Sequence, residues 1–60
     1  MNQFKINTPV YHPAWGNGKV IDIMDKLLVE FKNGFKAWFF ESKDTYRQMQ
    51  ISELTILGVQ

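Results

Sequence analysis

Apolar and polar positions alternate over short distances along this 60-residue chain, and no long window keeps a helical period. Short runs of β-branched and aromatic residues recur between turn-forming residues, which is the pattern of a small all-β domain. Thr8 to His12 reads as a first strand, closed by Pro13, and Lys19 to Met24 as a second, with Asp25-Lys26 as the turn after it.

The strongest local signal is Leu27 to Phe40, LLVEFKNGFKAWFF, where Asn33-Gly34 sits between two apolar arms. Asn-Gly supplies the two positive φ angles of a type I′ hairpin. A two-residue turn at that point pairs Phe31 with Lys36, Val29 with Trp38 and Leu27 with Phe40. Alternation along a strand then puts Leu27, Val29, Phe31, Trp38 and Phe40 on one face, the expected core. The opposite face carries Leu28, Glu30, Lys32, Phe35, Ala37 and Phe39, and it is too apolar for an ordinary solvent face.

Beyond Phe40 the chain turns polar through ESKDTYRQMQ, and ISELTILGV closes it. Ser52 to Leu54 reads as one helical turn with Leu54 pointing inwards, followed by a last strand around Thr55 to Leu57. Four to six antiparallel strands with short connections and a helical turn near the C-terminus are most economically an SH3-like or Tudor-like barrel, whose partial closure limits exposed edges. Residues 1 to 60 make one domain.

Composition changes this picture in two ways. A chain this short buries only about 60% of the surface its unfolded form exposes, and with no cysteine it has no disulfide staple, a usage that fits the cytoplasm. Two Trp, two Tyr and five Phe supply the stabilising area instead, since each aromatic buries roughly 150–250 Å². Charge is nearly balanced, seven Lys and Arg against six Asp and Glu for a net +1, so no strongly basic face advertises a nucleic-acid partner. No apolar run approaches the ~20 residues needed to span a bilayer, and MNQFKINTPV lacks the apolar centre of a signal peptide.

The stretch Tyr11 to Val20, YHPAWGNGKV, holds the single histidine, and two readings of it carry chemistry. A phosphate loop needs a helix after its lysine and a Ser or Thr beside it, but Lys19 leads into Val20-Ile21-Asp22-Ile23, a strand. The simpler reading makes it a structural turn, with Gly16 and Gly18 in conformations that side chains forbid and Trp15 packed over them as a lid. A catalytic His12 needs a nucleophile or acid nearby and a group to orient the ring, and the sequence suggests no such set. His12 is therefore expected to be structural, and the sequence calls for no catalytic residue, metal or cofactor.

With the turn and hairpin in place, a family resemblance is visible. Val10-Tyr11-His12-Pro13-Ala14-Trp15-Gly16-Asn17-Gly18-Lys19-Val20 resembles the V-x-H-P-x-[aromatic]-G-x-G-x-V opening of the Tudor-like C-terminal domain of UvrD/PcrA helicases. It is also similar to the RNA-polymerase-interacting domains of CarD-like regulators and of the transcription-repair coupling factor. Leu27 to Gly34, LLVEFKNG, is similar to the third strand and turn of the same group, L-x-V-x-F-x-x-G. The chain departs from the helicase pattern after Phe40, where it inserts ESKDTYRQMQ, and there it looks more like small phage or bacterial proteins. The resemblance implies that the opening stretch is scaffold and that function sits on a strand edge or on the second face.

These observations lead to the expectation of a non-catalytic, stand-alone adaptor or inhibitor, of phage origin, that docks on a component of the transcription or DNA-repair machinery such as RNA polymerase. Leu28, Phe35, Lys36, Phe39 and Arg47 are its expected contacts. A second reading is direct nucleic-acid binding through Lys19, Lys32, Lys36, Lys43 and Arg47, and a third is a homodimer that buries the second face against itself.

Overall fold

The computed structural model describes residues 3–41 and 49–58, and among these five strands and one 3-10 turn order the chain. The strands are β1 (Pro9–His12), β2 (Gly16–Ile23), β3 (Lys26–Phe31), β4 (Lys36–Phe40) and β5 (Thr55–Ile56), with the 3-10 turn at Ile51–Glu53. They form one antiparallel sheet in the order β4-β3-β2-β1-β5. The all-β class, the antiparallel pairing and the helical turn near the C-terminus are those expected from the sequence. β2 begins three residues earlier than expected, taking Gly16 to Gly18 into the ladder with β1.

The two ends of the sheet are brought together by one short segment. At the end of β4, the Phe40 N–H donates to the Met49 carbonyl at 2.8 Å, and Phe40 bridges Gln50. Beyond the 3-10 turn, β5 pairs with β1 at the opposite edge. Met49 to Ile56 therefore runs from one edge to the other and partly closes the sheet, and the buried Ile51 and Leu54 plug the opening. Ile21 is an extra residue in β2, where the register with β3 shifts between Val20 and Asp22, and such a bulge increases the bend and twist of a strand.

The hairpin departs from expectation by one residue, with large consequences. The Phe31 N–H donates to the Phe35 carbonyl at 2.8 Å and the Gly34 N–H to the Phe31 carbonyl at 2.9 Å, so the loop has three residues, Lys32, Asn33 and Gly34. Gly34 alone takes the positive φ, +88°, and the Asn33 side-chain oxygen accepts from the Phe35 N–H instead of Asn33 turning left-handed. Glu30 then faces Lys36, Val29 faces Ala37, Leu28 faces Trp38 and Leu27 faces Phe39.

A one-residue slip turns every side chain of a strand to the other face, and here it turns β4. The expected core residues Leu27, Val29 and Phe31 are buried as anticipated, but their β4 partners are Ala37 and Phe39 rather than Trp38 and Phe40. Phe39, expected to be exposed, is fully buried at 0% accessibility. The remaining core consists of Phe4, Val10, Val20, Ile51 and Leu54, with Trp15, Ile23, Met49 and Ile56 packed around it.

Phe4 reaches this core through a tight turn. The Thr8 hydroxyl accepts from the Lys5 N–H at 2.8 Å and the Thr8 N–H donates to the Lys5 carbonyl at 3.0 Å. Asn7, left-handed at φ +75°, donates its N–H to the Val20 carbonyl at 2.7 Å. Asparagine tolerates that conformation better than most residues do.

Candidate docking face and cleft

His12 ends β1 as a buried residue, only 6% exposed. Its Nδ1 accepts from the Ala14 N–H at 3.0 Å, and its Nε2 lies 2.9 Å from Glu53 Oε1 on the 3-10 turn. An Nδ1 that accepts puts the neutral ring's proton on Nε2, which donates to the carboxylate. Trp15 stacks on the ring with centroids 4.3 Å apart and planes 20° from parallel, while Phe31 and Phe39 pack at 6.1 and 5.6 Å. The histidine has a carboxylate partner, but it lies within an aromatic cluster and fastens the 3-10 turn to the end of β1. Trp15 packs on His12, Phe31, Phe35 and Phe39. Among the described residues, no group of three His, Asp or Glu side chains could hold a metal ion, and no helix is long and apolar enough to cross a membrane.

The expected contact residues do not share one surface. Leu28 and Lys36 lie on the outer face of β3 and β4, half-buried and exposed respectively. Phe35, 40% exposed, is at the hairpin end against Trp15, with centroids 4.9 Å apart, and stacks beside Phe31 at 6.2 Å. Phe39 is in the core and offers no contact from the outer face. Arg47 and Lys43 lie outside the described residues.

What the register places beside Leu28 instead is Trp38, directly opposite it, and then Lys26 opposite Phe40. Trp38 and Phe40 are half-buried on this outer face. The Lys26 ammonium lies 4.9 Å from the centre of the Trp38 ring and 6.0 Å from that of Phe40, and it also meets the exposed Asp25 carboxylate at 3.3 Å. The outer face of β3 and β4 is thus an aromatic and aliphatic patch with cations at Lys26 and Lys36. The sequence could have pointed to Trp38 only through the alternative turn, in which glycine alone is left-handed.

This patch borders a strand edge. In an antiparallel pair, alternate residues direct their N–H and C=O groups to the partner strand. The Phe31 N–H donates across to the Phe35 carbonyl, so by alternation the Ala37 and Phe39 groups point to β3 and those of Lys36, Trp38 and Phe40 point outwards. Phe40 confirms the direction by donating to Met49. Among the described residues, none pairs with Lys36 or Trp38 on that side of the sheet.

The remaining lysines expected to bind nucleic acid frame a second feature. Pro9, Lys19, Glu30 and Lys36 form a row across β1 to β4. Below that row an open cleft of about 540 Å³ is lined by Pro9, Gly18, Phe31 and Leu57, with Lys19, Glu30 and Lys32 among its polar groups. The Leu57 N–H donates to the Pro9 carbonyl at 2.9 Å, and the Lys32 N–H to the Asn17 carbonyl at 3.2 Å, which fixes the two ends.

Comparison with protein-family models, with curated proteins and with solved structures found no match, so the functional reading rests on these residues.

Proposed function

We propose that this chain is a non-catalytic docking module that takes up a protein partner on the outer face of β3 and β4 and along the β4 edge at Lys36 and Trp38. The observation that carries the reading is the juxtaposition of the half-buried Leu28, Trp38 and Phe40 with the outward-pointing backbone groups of Lys36 and Trp38. A partner strand added there gains backbone hydrogen bonds from the edge and selectivity from the side chains beside it. Tryptophan is also among the residues enriched at the centre of protein interfaces.

The partner class comes from the resemblance of Val10 to Val20 and Leu27 to Gly34 to polymerase-interacting and helicase domains, and it is a component of the transcription or DNA-repair machinery, with bacterial RNA polymerase the first to test. A module of this kind acts by occupying a surface, as an adaptor or an inhibitor. The row Lys19, Glu30, Lys36 alternates in sign, which supports a protein partner over a polyanion. Immobilised wild-type protein should retain purified bacterial RNA polymerase after nuclease treatment, and Trp38→Ser should retain at least ten-fold less. Equal retention by the two proteins, or none by the wild type, would overturn the reading, and sedimentation showing a concentration-dependent dimer would assign the face to a second copy.

A further inference from the structure

We infer that the cleft between β1, β2 and the tip of the β3–β4 hairpin is a ligand site of its own, for a monoanionic carboxylate attached to an apolar body. Its volume, about 540 Å³, lies in the range of small-molecule sites. Its chemistry is two-sided. Pro9 and Leu57 give an apolar lining with the buried Phe31 beneath it, and Gly18 gives a stretch of bare backbone. A side chain at position 18 has no place, because its Cβ would stand 2.8 Å from the Glu30 carbonyl oxygen and 2.8 Å from the Phe31 ring.

The polar groups set the charge of the occupant. Lys19 and Lys32 bring two positive charges and Glu30 one negative. Among the described residues, none of the three makes a side-chain hydrogen bond or ion pair. Two unpaired ammonium groups beside one carboxylate leave a net charge of +1, which a monoanion neutralises and a dianion would over-compensate. The apolar lining requires the anion to carry an aromatic or aliphatic group. A free small acid and the C-terminal carboxylate of a peptide both present that chemistry. This site does not depend on the docking face, since neither Trp38 nor Leu28 lines it.

The test is titration of the intact protein, followed by backbone amide NMR, with phenylacetate and with acetylated alanyl-phenylalanine, each against its neutral amide. Acetate and inorganic phosphate serve as anions without an apolar body. The two carboxylates should shift the amides of Gly18, Lys19, Glu30 and Lys32 saturably, with the neutral amides at least several-fold weaker. Whichever of the two acids binds tighter identifies the source. Lys19→Gln and Lys32→Gln should each weaken binding by about three- to five-fold, and Glu30→Gln should tighten it, with the rest of the spectrum unchanged.

Equal binding of acid and amide would overturn the assignment, as would affinity that is indifferent to both lysine changes. Phosphate or acetate binding as well as phenylacetate would remove the apolar component. Tighter, steeply salt-dependent binding of a single-stranded oligonucleotide at the same amides would replace the site with a nucleic-acid surface. An absence of shifts at millimolar ligand would leave the cleft without this function.

Discussion

Gly18 and His12 show how closely the opening stretch is built around the core. At Gly18 the constraint is space rather than backbone angle, because the atoms facing a Cβ include the fixed carbonyl of Glu30. Gly18→Ala should therefore cost about 1–3 kcal/mol, read as a lower midpoint in urea denaturation. Gly16 differs: its φ is +81° and nothing stands near a Cβ there, so alanine costs only the backbone term of about 1 kcal/mol. The sequence distinguished glycine from other residues at both positions but not the two reasons, since close approach depends on the strand lying opposite. His12→Ala removes the acceptor for Ala14, the donor to Glu53 and the surface stacked on Trp15. A loss of about 2–4 kcal/mol is expected by analogy with buried polar and aromatic deletions, with a change in tryptophan emission. Glu53→Gln keeps an acceptor and should cost less than His12→Ala in the same assay.

At the scale of the hairpin, a single question of turn type decides which aromatics are structural. Asn33-Gly34 fits a two-residue turn and also a three-residue turn that ends in a left-handed glycine, and the arms around it are apolar on both sides. Phe39 and Trp38 are adjacent, so the wrong choice exchanges a core residue for a surface one. The positions on β3 were legible because Leu27, Val29 and Phe31 alternate with Glu30 and Lys32. On β4, Trp38, Phe39 and Phe40 have no polar neighbour to set the phase. Phe39→Ala should cost about 3–5 kcal/mol, a large share of the roughly 3–9 kcal/mol available to a domain of this size. Trp38→Ser should cost much less, chiefly partial burial and the cation–π contact with Lys26, worth about 0.5–1 kcal/mol at exposed sites. Thermal melts of the two variants side by side check the register directly. Hydrogen exchange should show the same alternation along β4, with Ala37 and Phe39 amides protected and Lys36 and Trp38 amides exchanging faster until a partner strand pairs with them.

At the scale of the whole molecule, the described residues bury ten hydrophobic side chains and one histidine under five short strands, without disulfides, by curling a sheet until Met49 to Ile56 joins its edges. The scaffold was readable from turn residues and alternation. The outer surface was not, because which residues meet across strands is set by register and by the bulge at Ile21, neither of which leaves a mark in composition. The expected contact set consequently splits between two faces and the core, while Trp38, Phe40 and Lys26 form the coherent patch. The central claim is that this patch and the β4 edge hold a protein partner. The most direct test is retention of purified, nuclease-treated bacterial RNA polymerase by immobilised wild-type protein and by Trp38→Ser, with the fold of both verified by NMR. The wild type should retain polymerase, and the folded variant should retain at least ten-fold less. A folded variant that retains polymerase as well as the wild type does, or a wild type that retains none, would contradict the central claim.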